Sequence, residues 1–242
     1  MADQKRILFT GGSGLLGTAF RKLRPEIEFP SSGEFNITDL SQMRAFIGGG
    51  RLDCVIHAAA FTSPPLVDKD PGKALDVNIV GTVNIVKLCM EHGSRLLYIS
   101  TDYVFQGDKG LYREDDPVLP VNQYAWSKLG GECAVRLYAK SLIIRTTFGP
   151  DVFPYPKAFV DQWTSRESVS AIARKINRLV DLEATGIVHV GGERKTVYEY
   201  AKSLDPSKEI GRLSVHDVSF KVPIDTSLNC DRYKSLIEKT SN

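Results

Sequence analysis

The stretch ILFTGGSGLLG at residues 7–17 decides the fold, because it joins a short apolar run to a loop rich in glycine. Such a run is typical of a buried strand, and the residues after the loop, to about position 23, follow a helical pattern. A Gly11-x-x-Gly14-x-x-Gly17 pattern between strand and helix is typical of a loop that binds the pyrophosphate of a dinucleotide. Gly11 permits a tight turn, Gly14 close approach of the anion, and Gly17 close packing of the helix. The loop residues predicted to contact the dinucleotide are Gly11, Ser13, Gly14, Leu15 and Gly17.

The first half of the chain continues this alternation of strands and helices. Such alternation predicts a parallel sheet covered by helices, here a Rossmann-like, doubly wound α/β fold. The predicted strands are 7–10, 27–29, 53–60, 95–101 and 142–146, and the predicted helices after the first are 40–47, 72–91 and 122–140.

The pattern changes after Phe148. Three prolines between residues 150 and 156 remove backbone donors and exclude a helix there. A predicted helix at 168–182, a strand at 187–190 and a polar, irregular tail follow. We therefore expect an NAD(P)-binding Rossmann core at 1–148. The remainder, 149–242, is expected to supply the last strand and helix of that core together with a small, irregular C-terminal substrate-binding lobe.

Composition and charge exclude several classes of protein. The 242 residues carry 31 Lys and Arg against 29 Asp and Glu, a net charge of +2 that is too even for a nucleic-acid-binding surface. No apolar run reaches the roughly 18 residues of a membrane span, and the N-terminus lacks the apolar region of a signal peptide, so we expect a cytoplasmic protein. The four cysteines and four histidines are scattered, so the cysteines are expected to be buried and reduced and no metal is expected.

The residues around the second predicted strand bear on which dinucleotide is bound. Folds that prefer NAD usually place an Asp or Glu there to hold the ribose 2′-hydroxyl. The sequence FPSS at 29–32 has no carboxylate, whereas Arg21, Lys22 and Arg24 lie close in sequence and could meet a 2′-phosphate. A solvated basic helix face is the alternative for each of them. The pattern favours NADP(H) over NAD(H).

A tyrosine and a lysine four residues apart occur in YAWSK at 124–128, in the helix predicted after the strand at 95–101. Residues at i and i+4 share a helix face, and an ammonium close to a phenol lowers the pKa of that phenol. Such a pair suits proton transfer in carbonyl–alcohol chemistry. Tyr198 and Lys202 have the same spacing but follow the last predicted strand, so we interpret them as surface or packing residues of a late helix. Tyr124 and Lys128 are the candidate catalytic pair.

Further segments narrow the comparison to one family. They are HAAAFT at 57–62, VN at 77–78 with GT at 81–82, STDYVF at 100–105, GE at 131–132, RTT at 145–147, DQ at 161–162 and PIDTSL at 223–228. With the glycine loop and the Tyr124–Lys128 pair, they resemble the dTDP-4-dehydrorhamnose reductase family of the extended short-chain dehydrogenase/reductase superfamily. The resemblance is dense as far as Arg145 and patchy afterwards.

The resemblance implies NAD(P)H-dependent reduction of a 4-keto group on a nucleotide-linked 6-deoxysugar, with hydride delivered to C4. It assigns proton donation to Tyr124, the nicotinamide ribose to Lys128, and a hydrogen bond to the carbonyl oxygen to Thr101. It also allows a homodimer. Residues that it further assigns to the cofactor are Asn36, Ile37, Ala58, Ala59, Ala60, Thr62 and Ser100, and those that it assigns to the substrate are Asp102, Tyr103 and Phe148.

Other functions stay open on the sequence alone. One is a non-catalytic NADP-binding regulatory subunit, as in methionine adenosyltransferase assemblies, although the retention of Thr101, Tyr124 and Lys128 argues against it. Another is a sugar-nucleotide epimerase. A sugar-nucleotide 4,6-dehydratase is disfavoured, because Tyr103 stands where those enzymes carry a glutamate.

Three departures from the family pattern affect the substrate lobe. Phe148 replaces a tryptophan, Arg166 and Glu167 replace Pro-Thr, and the segment at 148–161 is short and rich in proline. We therefore expect a reduced substrate lobe.

Overall fold

The computed structural model describes residues 5–218 and 222–239, which form two compact units that alternate along the sequence. The chain enters the second unit three times, at Thr101, Arg145 and Val188. The division at residue 148 stays a prediction. The first unit holds the described residues of Met1–Ser100, Asn122–Ile144 and Leu182–Ile187, and the second holds those of Thr101–Val121, Arg145–Asp181 and Val188–Asn242.

The strands are short and mostly buried. In chain order they are β1 (Ile7–Thr10), β2 (Cys54–His57), β3 (Arg95–Thr101), β4 (Ser141–Thr146), β5 (Phe148–Gly149), β6 (Lys157–Phe159), β7 (Trp163–Thr164), β8 (Glu167–Ser168), β9 (Gly186–Val190), β10 (Lys195–Thr196) and β11 (Gly211–Leu213).

A five-stranded parallel sheet in the order β1-β2-β3-β4-β9 confirms the predicted Rossmann-like α/β fold. The predicted strand at 27–29 is reduced to a single bridge, in which Glu28 pairs in parallel with Leu8. The Phe9 amide donates to the Glu28 carbonyl at 2.8 Å, on the edge of β1 opposite β2. The chain order of the sheet therefore reverses at β1. Ligands of open α/β sheets bind at such a point, and the glycine loop begins there.

Helices follow most of these strands. They are α1 (Leu15–Leu23), α2 (Leu40–Ile47), α3 (Pro64–Lys69), α4 (Pro71–Ala74), α5 (Gly81–His92), α6 (Gln123–Val135), α7 (Val169–Val180), α8 (Val197–Leu204) and α9 (Asp231–Glu238). Among the described residues, none of these helices has both the length and the hydropathy that a bilayer crossing requires.

The single helix predicted at 72–91 is in fact interrupted by a π-helix, Leu75–Val80, between α4 and α5. The Gly81 amide donates to the Asp76 carbonyl, five residues back, which adds one residue to the turn. A Cβ on Gly81 would lie 2.7 Å from Ile37 Cδ1, so the widened turn packs directly on Ile37. This packing is not visible in the apolar spacing of the segment.

The core of the first unit brings together apolar side chains of the sheet and of the helices around it. Its buried members are Leu8, Phe35, Ile37, Met43, Ile47, Leu52, Val55, Ile85, Val86, Leu88, Cys89, Leu96, Tyr98, Val135 and Ile143.

The second unit contains three short ladders, β5 with β8, β6 with β11, and β7 with β10. Residues 150–156, between β5 and β6, are not helical, as predicted. The late helix predicted around Tyr198 and Lys202 is α8, whereas β11 and α9 lie in the tail that was predicted to be irregular. At the start of α8, the Thr196 side chain accepts from the Glu199 amide and the Glu199 carboxylate accepts from the Thr196 amide, a capping box that fixes the first turn.

Candidate functional site

The loop between β1 and α1 requires glycine at two positions. Gly11 has a φ of +79°, and a Cβ there would lie 2.8 Å from the Ala59 amide nitrogen. A Cβ on Gly17 would lie 2.5 Å from the Gly11 carbonyl oxygen, so α1 packs directly on the loop. Gly14 is the N-cap of α1 and supplies no side-chain cap, so the amides of the first turn are available to an anion. The loop residues exposed there are Ser13, Gly14 and Leu15.

The segment after β2 packs against this loop. The Ala59 amide donates to the Thr10 hydroxyl at 3.2 Å, which ties the segment to the end of β1. Ala58, Ala59 and Ala60 are half-buried, and Thr62 is exposed. The structure therefore brings together the glycine loop and the alanines that the resemblance assigned to the same cofactor.

Asn36 and Ile37 lie just before α2. The buried Ile37 offers its carbonyl to the Asn84 side-chain amide at 2.9 Å. The Asn36 side-chain oxygen accepts from the Thr38 amide at 3.1 Å, so it stabilises its own turn. Contact of these two residues with an adenine ring stays a prediction.

A buried hydrogen-bond network connects the glycine-loop strand with the helix that carries the Tyr–Lys pair. Its first part centres on His57, whose pKa is lowered by burial to about 3, so the ring is neutral. Thr10 Oγ1 lies 2.8 Å from His57 Nδ1, and Thr82 Oγ1 lies 3.0 Å from His57 Nε2. Thr82 donates its own hydroxyl hydrogen to the Asn78 carbonyl at 2.7 Å. His57 Nε2 must then be the donor to Thr82, which leaves Nδ1 to accept from Thr10.

The second part of the network reaches α6 through Asn78. Its side-chain nitrogen donates to Ser127 Oγ at 2.8 Å and to the Phe61 carbonyl at 3.0 Å, and its oxygen accepts from the Phe61 amide at 2.7 Å. Ser127 donates in turn to the Tyr124 carbonyl at 2.7 Å. Because every group is satisfied, the network fixes the first turns of α6 relative to β1 and β2.

Tyr124 and Lys128 lie on α6, which begins where Asn122 caps it by accepting from the Ala125 amide at 2.8 Å. Tyr124 is half-buried, whereas Lys128 is only 3% exposed. Burial lowers the pKa of Lys128 to about 7, and the Glu132 carboxylate opposes this change. Its Nζ lies 4.2 Å from the centroid of the Tyr98 ring, a cation–π contact that stabilises the ammonium form.

Ser100 faces the same helix through a different partner. Its hydroxyl donates to the Glu132 carboxylate at 2.5 Å, and both residues are buried. This bond holds the carboxylate that supports the Lys128 ammonium. Binding of the cofactor by Ser100 stays a prediction, since its hydroxyl hydrogen is engaged inside the protein.

Thr101, Asp102 and Tyr103 belong to the second unit, at the end of β3 and in the 3₁₀ turn Asp102–Val104. Asp102 is 2% exposed, and both its carboxyl oxygens accept hydrogen bonds. The donors are Thr101 Oγ1 at 3.2 Å and Thr226 Oγ1 at 2.6 Å. Burial raises the pKa of Asp102 to about 6, although the hydroxyls and the Arg166 charge oppose the rise. The carboxyl is thus a buried group that gains or loses a proton in mildly acidic solution.

The other residues assigned to the substrate are also in the second unit. Burial raises the pKa of Tyr103, and the positive charge of Arg166 opposes the rise. Phe148 is half-buried and pairs with Glu167 in the β5–β8 ladder. The three substrate candidates therefore share a unit. The charge of Arg166 acts on Asp102 and Tyr103, and its chain neighbour Glu167 pairs with Phe148.

The second Tyr–Lys pair, Tyr198 and Lys202 on α8, is structural as predicted. The Lys202 ammonium donates to the carbonyls of Pro206 at 2.6 Å and Lys208 at 2.9 Å. It therefore closes the turn after α8 and does not face a phenol.

The cysteines partly follow the sequence prediction. All four cysteines are free thiols, but Cys133 is exposed on α6, so the expectation that it is buried was wrong. Within the described ranges, no group of three or more His, Cys, Asp or Glu side chains is arranged to hold a metal ion.

Two contributors to the site were missed by sequence reasoning. Thr226 holds Asp102 from 124 residues away, and nothing in its local sequence indicates that contact. Glu132 is completely buried beside Lys128, which an i, i+4 spacing could have indicated.

A parallel sheet with a glycine loop at its order reversal and a buried Tyr–Lys helix define the class of Rossmann-like reductases. Comparison with known proteins narrows this class. The chain belongs to the family described as RmlD substrate binding domain, which matches residues 5–178.

The relatives carry names of two kinds. Methionine adenosyltransferase 2 subunit beta from Pongo abelii is 28% identical over 280 aligned positions, which cover 96% of this chain and 82% of that protein. A hypothetical dTDP-4-dehydrorhamnose reductase from Sulfolobus tokodaii is 32% identical with a TM-score of 0.83, covering 96% of this chain and 94% of that one. The dTDP-4-dehydrorhamnose reductase of Bacillus anthracis, solved in complex with NADP, is 26% identical with a TM-score of 0.87, covering 97% and 92%.

Proposed function

We propose that the chain is an NAD(P)H-dependent reductase of a nucleotide-linked 4-keto-6-deoxysugar. The observation that carries the proposal is Lys128, a buried ammonium one helical turn after Tyr124, on a helix fixed to the glycine-loop strand. A lysine whose pKa is lowered to about 7 sits close to the balance between its two protonation states, which suits proton-transfer chemistry near neutral pH. The reductases named among its relatives support the sugar-nucleotide substrate class.

The glycine loop fits the pyrophosphate of a nicotinamide dinucleotide. Gly11 and Gly17 let the segment after β2 and helix α1 pack closely against the loop, and the exposed start of α1 suits an anion. The bound dinucleotide would supply the hydride. Gly11, Gly14 and Gly17 would hold its pyrophosphate, with Ala58–Ala60 alongside.

We further propose a preference for NADP(H), with Arg21 as the residue that meets the 2′-phosphate. The Arg21 guanidinium carbon lies 4.4 Å from the centroid of the Phe29 ring, and its Nη2 is 3.2 Å from where a Cβ on Gly12 would lie. The side chain is exposed beside the loop. By contrast, Arg24 forms an ion pair with Glu26 and is less available.

In the proposed reaction, Tyr124 donates its phenolic proton to the carbonyl oxygen of the substrate. The Lys128 ammonium stabilises the phenolate that remains, and the Asn78–Ser127 bonds keep the helix that carries both groups in place. Thr101 is assigned a hydrogen bond to the same oxygen by the family resemblance. In the structure the Thr101 hydroxyl donates to Asp102 at 3.2 Å, so it would have to rotate away from that carboxyl to donate to the substrate oxygen.

The test is NADPH oxidation with dTDP-4-dehydrorhamnose and its UDP and GDP counterparts. Tyr124→Phe should lower kcat by about 100-fold or more, the contribution of a positioned general acid. Tyr198→Phe is the matched control, because it removes the phenol of the other Tyr–Lys pair and should leave the rate unchanged. Oxidation that persists undiminished in Tyr124→Phe would refute the mechanism.

The similarity to methionine adenosyltransferase 2 subunit beta supports a second candidate, a non-catalytic subunit that binds NADP. The same assay separates the two functions. NADPH binding without turnover of any of the three nucleotide sugars would favour the regulatory subunit.

A further inference from the structure

Arg166 is a charged residue to which the proposed reaction gives no task. It lies between β7 and β8 and is partly buried. Its Nε is buried and has no hydrogen-bond partner within residues 5–218 and 222–239. Buried polar groups of proteins nearly always have a partner, because leaving one unpaired loses the hydrogen bond that water would make. The unpaired donor therefore points to an acceptor that the protein itself does not provide.

Asp102 is not that acceptor. Both of its oxygens accept from threonine hydroxyls, Thr101 on one side and Thr226 on the other. Arg166 acts on Asp102 only through its charge, which lowers the pKa of the carboxyl against the effect of burial. The Nε–H of the guanidinium is left without an acceptor in the described chain.

The adjacent carboxylate, Glu167, is engaged elsewhere. Its Oε2 lies 2.6 Å from the ammonium of Lys175, an ion pair in which both side chains are largely buried. The charge of Glu167 is thus paired with Lys175, and Arg166 acts through its charge on Asp102. Neither contact gives the Arg166 Nε donor an acceptor in the described chain.

The surroundings of Arg166 are the residues proposed to bind the substrate. A Cβ on Gly149 would lie 3.8 Å from Arg166 Cδ, which places the arginine stem along the strand that starts with Phe148. The Arg166 charge also acts on Tyr103 and Asp102. All of these residues belong to the second unit.

We infer that Arg166 binds an anionic group of the substrate, so that this chain takes a nucleotide sugar held by its negative charge near Asp102 and Tyr103. A guanidinium offers parallel donors that match the paired oxygens of a carboxylate or phosphate. The inference rests on the proposed function, because it takes these residues as substrate-binding. A carboxylate on the sugar and the diphosphate of the nucleotide share this chemistry, and the test below separates them.

The test is calorimetric binding of UDP-glucuronate, UDP-glucose, UDP and uridine, with NADP present. Arg166→Gln should weaken binding about tenfold or more, as expected when a charge-assisted hydrogen bond is lost. A loss confined to UDP-glucuronate identifies a sugar carboxylate as the partner, and would exclude a 6-deoxysugar as the substrate. An equal loss for all three diphosphates, with uridine unaffected, identifies the diphosphate. Arg166→Lys, which keeps the charge but not the paired donors, should retain part of the affinity.

Arg174→Gln is the matched control, because Arg174 is an exposed residue of α7 in the same unit and its loss changes the net charge equally. Thermal unfolding establishes that each variant is folded, and if Arg166→Gln is not, the comparison is made with Arg166→Lys. Unchanged affinity for every anionic probe, the same loss in Arg174→Gln, or no binding of any probe to the wild type would overturn the inference. Because binding is measured without turnover, a negative result in the Tyr124→Phe experiment would not change the outcome of this test. A negative result in this test would likewise leave the proposed role of Tyr124 unaffected.

Discussion

Replacement of Asp102 by asparagine is expected to change how the stability of the protein depends on pH. Burial raises the pKa of this carboxyl from its ordinary 3.8 to about 6. The folded chain therefore holds the proton more tightly than the unfolded chain does. The contribution of this carboxyl to stability is greatest below pH about 4 and falls as the pH rises to about 6, where the folded carboxyl ionises. Asparagine resembles the protonated carboxyl in shape and does not titrate, so Asp102→Asn should lack this decline.

The size of the effect follows from the two pKa values. Each pKa unit corresponds to about 1.4 kcal/mol. The rise from 3.8 to about 6 therefore corresponds to about 3 kcal/mol in the free energy of unfolding. Because the unfolded carboxyl is already partly ionised at pH 4, the stability of Asp102→Asn relative to the wild type should rise by about 2–2.5 kcal/mol between pH 4 and pH 7.

Urea unfolding at steps between pH 4 and pH 7 measures this difference. Trp163 lies in the same unit as Asp102 and Trp126 in the other, so in a Trp126→Phe background the fluorescence reports the unfolding of the unit that contains Asp102. Asp115→Asn is the control, because it removes a carboxylate that is 89% exposed. A constant difference between wild type and Asp102→Asn over this pH range, or an equal trend in Asp115→Asn, would refute the reasoning.

Two further predictions concern the dinucleotide site, and each has a control substitution. Gly17→Ala puts a Cβ 2.5 Å from the Gly11 carbonyl oxygen, so it should destabilise the protein by about 1–3 kcal/mol and weaken NADPH binding. Urea unfolding measures the stability, and the fluorescence of the cofactor measures its binding. Gly49→Ala, with nothing within 4 Å of its Cβ, should do neither, and equal effects would contradict this account. Arg21→Ala should weaken the binding of NADPH about tenfold and leave the binding of NADH unaffected. Lys22→Ala is the control and should change neither affinity. Equal losses of affinity for both cofactors in Arg21→Ala would exclude a contact with the 2′-phosphate.

Much of the first unit could be predicted from local sequence, because its strands are short apolar runs bounded by glycine or charge. The strand at 95–101 is confirmed to the residue. The π-helix could not be predicted from the apolar spacing, and its last turn packs on Ile37, which is far from Gly81 in sequence. The start of the late helix that carries Tyr198 and Lys202 could have been predicted from a local signal, the Thr196–Glu199 capping box.

The candidate site was also predictable only in part from local sequence. The spacing of Tyr124 and Lys128 put both on one helix, and the structure adds the burial that gives Lys128 its altered pKa. The bond between Asp102 and Thr226 joins residues whose chain neighbours give no hint of each other. Arg166 stood out only as a departure from a pattern, since the absence of a partner for its Nε depends on the folded surroundings.

The second unit is built from three separate stretches of the chain, and this limits how its substrate specificity can be exchanged with that of a relative. A chimera with one crossover near residue 148 would take Asp102 from one parent and Thr226 from the other. It would also separate Gly107 from Pro223, where a Cβ on the glycine would lie 2.4 Å from the proline ring. Recombination that preserves the second unit must transfer its three sequence stretches together. Substitutions in 101–121 and 222–228 therefore have to come from the same parent.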